Sequence, residues 1–198
     1  MGTEAIALGA TKAGASIVSG YPGTPSTEII ETLINEKIPG IEVQWSTNEK
    51  TALEVAAGAA YAGARSMVTM KQVGLNVAAD PLMSLSYVGV EGGMVVVVAD
   101  DPGPWSSQTE QDTRHFAKYS NLPVFDPSSP EEAYDMVSSA FELSEEFRLP
   151  VFLRPTTRVC HASATVDLGT FREPGPVSGF IKRSDWIIFP ALSYRKHG

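Results

Sequence analysis

The stretch Gly93-Met94-Val95-Val96-Val97-Val98-Ala99 constrains the fold more than any other part of the chain. A strand that is apolar at every position must be covered on both faces. The interior of a parallel sheet with helices on each side provides that cover. Shorter runs of the same kind lie at Ser16 to Tyr21, Ile41 to Trp45, Ser66 to Met70, Pro123 to Asp126 and Pro150 to Arg154. Helical patterns separate them. They run from Thr3 to Ala13 with Gly14 as a stop, from Pro25 to Glu36, from Glu49 to Ala64, from Asn76 to Val88 with a break at Pro81, within 109–119, and from Pro130 to Phe147. The alternation predicts an α/β fold: a doubly wound, mostly parallel sheet with helices on both faces. Ligands of such sheets lie beyond the carboxyl ends of the strands. The loops after Tyr21, Trp45, Met70 and Ala99 are therefore the places to look for chemistry.

Composition narrows the class. A chain of 198 residues, 43% hydrophobic, can bury one sizeable core. The single cysteine, Cys160, argues against a disulfide scaffold or a cysteine metal cluster. A formal charge of −8 argues against nucleic acid as partner. The absence of a long apolar run or a basic-then-apolar leader points to the cytoplasm and away from a membrane. Residues 161–198, with Pro174, Pro176 and Pro190, read as a connector after a domain over 1–160. That end, together with the abrupt helix after Met1, predicts a piece of a longer subunit.

Four loops carry candidate groups. In Gly20-Tyr21-Pro22-Gly23-Thr24-Pro25-Ser26, Thr24 is placed to cap the following helix and Pro25 to open it. The free N–H groups there suit a carboxylate or phosphate, and Gly23 lets a ligand approach the backbone. The alternative is an ordinary strand-to-helix turn. Ser46 and Glu49 are spaced as a capping box, which explains Glu49 structurally. Otherwise Glu49 is a carboxyl at the mouth of the sheet, able to share a proton with a ligand nitrogen. Lys71, Gln72, Val73, Gly74 and Asn76 lie where another strand runs into a helix, as a ligand wall or a plain turn with a solvated lysine. Asp100 and Asp101, followed by Pro102 and Pro104, read as turn caps rather than metal ligands. Adjacent Cys160 and His161 converge poorly for nucleophilic chemistry.

Taken in order, these segments resemble one family. Tyr21-Pro22-Gly23-Thr24-Pro25-Ser26, Asn48-Glu49-Lys50 opening an Ala-rich helix to Arg65, Thr69 to Asn76, Asp100-Asp101-Pro102-Gly103 with Ser106-Ser107-Gln108, and Arg154 to His161 are similar to the alpha subunits of indolepyruvate ferredoxin oxidoreductases. These belong to the thiamine-diphosphate 2-oxoacid:ferredoxin oxidoreductases. The resemblance covers residues 1 to about 165 and implies the pyrimidine-binding domain.

It also implies roles. Glu49 is the acid that bonds N1′ of the aminopyrimidine and activates the cofactor. Gln72, Val73, Gly74 and Asn76 line the pyrimidine ring. Gly23, Thr24 and Asp100 contact the substrate, with Thr24 also catalytic. The implied reaction is oxidative decarboxylation of an aryl 2-oxoacid such as indolepyruvate, with electrons passed singly to iron–sulfur clusters and ferredoxin and the acyl group passed to coenzyme A. No Gly-Asp-Gly…Asn segment for Mg²⁺ and diphosphate is found, nor a cysteine set for clusters. These are expected in a diphosphate-binding domain and a beta subunit, within a homodimer of the whole enzyme. Trp105 stands where many relatives carry histidine. The remaining alternatives are half of a split non-oxidative 2-oxoacid decarboxylase and a non-catalytic assembly module.

Overall fold

A computed structural model describes residues 1–196. The elements are α1 (Gly2–Lys12), β1 (Ile17–Gly20), α2 (Thr27–Glu36), β2 (Glu42–Trp45), α3 (Glu49–Tyr61), β3 (Ser66–Lys71), α4 (Gln72–Val77), α5 (Ala79–Val88), β4 (Met94–Ala99), α6 (Thr113–Ser120), β5 (Val124–Phe125), α7 (Pro130–Phe147), β6 (Val151–Leu153) and α8 (Thr157–His161). A 3-10 turn (Ser184–Trp186) and α9 (Pro190–Lys196) follow. The strands form one all-parallel sheet in the order β2-β1-β3-β4-β6-β5.

The apolar strand explains itself in this setting. Along β4, Val95 and Val97 join the core beneath α1, α2 and α7, while Met94, Val96 and Val98 join the core beneath α3, α4 and α5. Every residue of β4 is fully buried. The chain leaves β1 toward β2 on one side and returns through α3 to β3 on the other, so the winding reverses between β1 and β3. The carboxyl ends of strands at such a reversal leave a crevice. The turn after β1 and the start of α4 border it.

Several local expectations shift. The helix break falls at Ala78, between α4 and α5, and Pro81 sits in the first turn of α5, where its missing N–H costs no hydrogen bond. The chain leaves α3 through Gly63, whose φ of +91° lets Gly63 and Ala64 donate back to Ala60 and Ala59, each at 3.0 Å. Residues 162–183 carry no helix or strand but run over the domain surface. The Arg172 N–H donates to the Lys12 carbonyl, the Gly179 N–H donates to the Ala62 carbonyl, and Arg183 pairs with Glu91 at 2.7 Å. Trp186 then packs on Tyr61 with ring centroids 4.8 Å apart. The stretch expected as a bare connector is thus held against the sheet domain.

Candidate functional site

The turn after β1 departs from the expected cap. Thr24 does not cap α2; the helix begins at Thr27, and Ser26 before it makes no side-chain cap bond. Thr24 and Pro25 are instead the two central residues of a tight turn, with a cis Thr24–Pro25 bond, closed by Ser26 N–H donating to the Gly23 carbonyl at 2.7 Å. The Gly23 N–H donates to Thr27 Oγ1 at 2.8 Å, and Ser26 Oγ donates to the Gly23 carbonyl at 2.7 Å. With its backbone so used, the turn presents Thr24 exposed at its corner. Gly23 lies against Lys71, at the end of β3, so closely that a Cβ would sit 3.0 Å from that of Lys71.

The turn before α3 also departs from expectation, and this bears on Glu49. Asn48, not Ser46, caps α3: its Oδ1 accepts from Thr51 N–H at 2.8 Å. The capping box therefore does not form, and Glu49 has no reciprocal capping duty. Ser46 Oγ is left buried without a partner. Glu49 is the first residue of α3, half-buried, and its carboxylate extends to the start of α4. There it fills the space beside Gly74, where a Cβ would lie 2.4 Å from Oε1 and 2.6 Å from Cγ. Gly74 is thus fixed by the approach of this carboxyl group. Among the described residues nothing donates to the Glu49 carboxylate or pairs with it.

The carboxylates after β4 are all engaged. Asp100 is one of the three expected substrate contacts, but its side chain points into the protein. Its oxygens accept from Thr113 N–H (2.9 Å), Thr113 Oγ1 (2.6 Å) and Arg154 Nε (2.7 Å), and it is fully buried. Asp101 accepts from Ser106 N–H (2.8 Å), Ser107 Oγ (2.7 Å) and Thr157 Oγ1 (2.8 Å). Burial would raise the Asp101 carboxyl, but these hydrogen bonds outweigh it and hold its pKa down at about 2. Arg154 extends the network to Asp126, at 3.2 Å. Asp112 accepts from Arg114 at 2.6 Å, which outweighs burial and lowers its pKa to about 2 as well.

This loop is laid over the end of β3. Lys71 Nζ donates to the Ser106 carbonyl at 2.5 Å and is therefore not simply solvated. Gln72, expected to touch a ligand, is fully buried. Its amide donates to the Thr109 carbonyl and accepts from Asp101 N–H, both at 2.7 Å. Asn76 is exposed and gives its amide nitrogen to Gln111 at 3.1 Å. Of the expected site residues, Glu49 lies against Gly74 at the start of α4, Gly23 lies against Lys71, Thr24 is exposed at its turn and Val73 is half-buried. Gln72 and Asp100 have their side chains committed inside the fold, and Asn76 is tied to the loop.

Next to this crevice lies a cavity of about 690 Å³, bordered by Thr24, Pro102, Trp105, Ser106, Arg158 and His161 among others. The sequence reading missed Arg158 and His161 as site residues. Their spacing of three on α8 puts both on one face, which is a usable signal. The neighbouring Cys160 faces inward, and burial pushes its thiol up to about 12. No group of three or more His, Cys, Asp or Glu residues able to hold a metal ion occurs among the described residues, nor a helix long and apolar enough to cross a membrane.

Residues 8–173 match the family model described as "Pyruvate flavodoxin/ferredoxin oxidoreductase, thiamine diP-bdg". The chain is 53% identical over 174 residues to the indolepyruvate oxidoreductase subunit IorA of Thermococcus kodakarensis, covering 87% of this chain and 27% of the relative. It is 52% identical to the IorA subunit of Pyrococcus horikoshii, covering all of this chain and 32% of the relative. The 2-oxoglutarate synthase subunit KorA of Methanocaldococcus jannaschii is 31% identical, covering 84% of this chain and 48% of the relative. A solved 2-oxoglutarate:ferredoxin oxidoreductase from Magnetococcus marinus, with 2-oxoglutarate, coenzyme A and succinyl-CoA bound, has the same fold. Its TM-score is 0.73 over 80% of this chain and 29% of that chain, at 22% identity. The chain spans about a third of the length of the IorA relatives it matches.

Proposed function

Because this chain belongs to the thiamine diphosphate-binding domain family of the pyruvate flavodoxin/ferredoxin oxidoreductases, we propose that it is the pyrimidine-binding domain of an aryl 2-oxoacid:ferredoxin oxidoreductase, with indolepyruvate as substrate. The observation that carries this reading is the Glu49 carboxylate, half-buried, unpaired among the described residues, and seated where Gly74 has no side chain. A carboxylate so placed suits an aminopyrimidine ring, whose N1′ needs a proton shared with an acid.

Thiamine diphosphate, when bound, supplies a ring carbon acidic enough to become a nucleophile toward the keto carbon of a 2-oxoacid. The residues of the chain do the rest of the work assigned to them here. Glu49 holds the proton at N1′ and thereby sets the protonation state of the exocyclic nitrogen. Val73 and Gly74 line the ring. The Thr24 hydroxyl, on the corner of a hydrogen-bonded turn, orients the substrate, with Gly23 beside it. Gln72, Asn76 and Asp100 act as positioning residues: their side chains fasten the loop after β4 to α4, α6 and β6.

We take the domain as 1–160 and 161–198 as a connector toward a further domain, its course laid against the sheet domain as described above. A diphosphate-binding domain with Mg²⁺ and a beta subunit complete the enzyme, which we place in the cytoplasm as a homodimer. Iron–sulfur clusters there carry electrons to ferredoxin, and coenzyme A takes the acyl group.

Glu49→Gln in the assembled enzyme tests this reading. Loss of a positioned acid costs a rate factor of roughly 10² to 10⁴, so ferredoxin reduction with indolepyruvate should fall by at least about 100-fold. Unchanged reduction would remove Glu49 from the mechanism.

A further inference from the structure

Arg158 is a charged group to which the preceding mechanism gives no task. Arg65, Arg114 and Arg154 are each paired with a carboxylate at 2.6–2.7 Å. Arg158 is exposed on α8, borders the 690 Å³ cavity, and has no carboxylate partner among the described residues. An unpaired guanidinium at a cavity is a ready receptor for a carboxylate, which it can hold through two parallel N–H bonds.

The same cavity has an aromatic wall. Trp105 is 83% exposed, an unusual state for an indole ring that nothing covers. Its loop is not loose. The backbone of Ser106 donates to Asp101, the Ser106 carbonyl accepts from Lys71, and the Gly103 N–H donates to Glu110 at 2.9 Å. Trp105 is therefore an exposed ring on a fastened support, beside Pro102 and across a cavity that Thr24 also borders. A ligand pocket is commonly about 300–1,000 Å³, apolar-walled, with a few polar groups that fix orientation, and this cavity meets that description.

We propose that this cavity is the side-chain pocket for the substrate. Trp105, with Pro102, stacks a flat aromatic group, and Arg158, with Thr24, holds the carboxylate of the same molecule. The inference rests on the reading of the neighbouring crevice as a 2-oxoacid site, and adds which residues choose the substrate. A monocarboxylate bearing one planar ring is selected. A small alkyl 2-oxoacid gains only the carboxylate contacts of Arg158 and Thr24.

The test uses the assembled enzyme and two readouts. Stacking on an aromatic ring, with the area it buries, is worth about tenfold in affinity. Trp105→Ala should lower kcat/KM for indolepyruvate about tenfold and leave that for pyruvate within about twofold, and Trp105→Phe should restore most of the loss. Arg158→Gln should raise KM for both substrates at least about tenfold with kcat little changed. Titration with indolelactate, an unreactive 2-hydroxy analogue, reads the pocket without turnover, and its Kd should rise in both variants. Equal effects of Trp105→Ala on indolepyruvate and pyruvate, or unchanged indolelactate binding in both variants, overturn the pocket. An enzyme that binds indolelactate through Trp105 and Arg158 yet reduces no acceptor with any 2-oxoacid upholds the pocket and overturns the oxidoreductase reading.

Discussion

Gly74→Ala separates a structural glycine from one reserved for chemistry. Gly74 lies in α4 with no positive φ, so alanine suits its backbone and should favour the helix by about 1 kcal/mol. Against this, the new Cβ would stand 2.4 Å from Glu49 Oε1, 2.6 Å from Cγ and 2.7 Å from Cδ. Because Cγ is included, moving the carboxylate tip does not relieve the clash, and the whole side chain must swing aside. Glu49 is half-exposed at a helix start, so it can swing outward at the lower end of the ~1–3 kcal/mol range for overpacking. The two terms nearly cancel, and the melting temperature should move by no more than about 2–4 °C.

Function should respond quite differently. Restoring an ordinary contact displaces the carboxylate by about 1 Å, and a misplacement of that size costs on the order of 10² in rate. The assay pairs thermal melts of the 198-residue chain with 2-oxoacid-dependent acceptor reduction and thiamine diphosphate titration in the assembled enzyme. Gly58→Ala is the control: it is exposed in α3, nothing lies within 4 Å of its Cβ position, and it should raise the melting temperature by about 2–4 °C without affecting turnover. Activity of Gly74→Ala within twofold of the parent would refute the reasoning. So would a melting loss large enough to explain the inactivity.

Two other perturbations probe the frame around the site. Arg154 is buried between Asp100 and Asp126, so Arg154→Met should cost about 3–5 kcal/mol by stranding the fully buried Asp100, seen as a lower urea midpoint with unchanged slope. Asp101 has a folded pKa of about 2, below the ~3.9 of an unfolded aspartate, so its contribution is complete above about pH 4 and is lost as pH falls toward 2. Asp101→Asn should therefore weaken the protein at neutral pH and flatten the acid limb of a stability curve between pH 4 and 2, and an unchanged limb would assign the acid transition elsewhere.

The fold was legible because its strongest signals are local. The valines of β4 announce a two-sided core, and α7 begins and ends where Pro130 and Phe147 place it. Caps were read less well, because neighbouring polar residues compete for the same N–H groups. Asn48 displaces Ser46 at α3, while at α2 the tight turn sets the start at Thr27 and no side chain caps it. In the site, spacing alone could not decide between a capping and a catalytic Glu49, since both readings need the same residue. The placement of the cap on Asn48 removes the capping-box explanation, and the catalytic one remains a proposal. The inward turn of Asp100 and Gln72 was invisible for a different reason: their partners Arg154 and Thr109 reach them only once the sheet and the loop after β4 are folded. Arg158 was hidden because its neighbours Thr24 and Trp105 come from other loops.

The distribution of satisfied carboxylates indicates how the site must operate. Asp100, Asp101, Asp112 and Asp126 are each bonded to a positive group or to several N–H and O–H donors, so the loop after β4 holds its shape without any ligand. Glu49 alone among these carboxylates at the mouth of the sheet has no such partner, and half-buried as it is, it relies on water. A carboxylate in water exchanges hydrogen bonds at little net gain, and becomes a strong proton partner only when water is excluded and the local dielectric falls. Nothing in 1–196 closes over Glu49 to do this. On the proposed function, exclusion comes from a ring laid against Val73 and Gly74 and from a second protein surface above it. On the proposed function, a rigid cradle with one unsatisfied acid is therefore the form this half of the site should take. On the same reading, turnover needs the covering surface even when the cofactor is already in contact with Glu49.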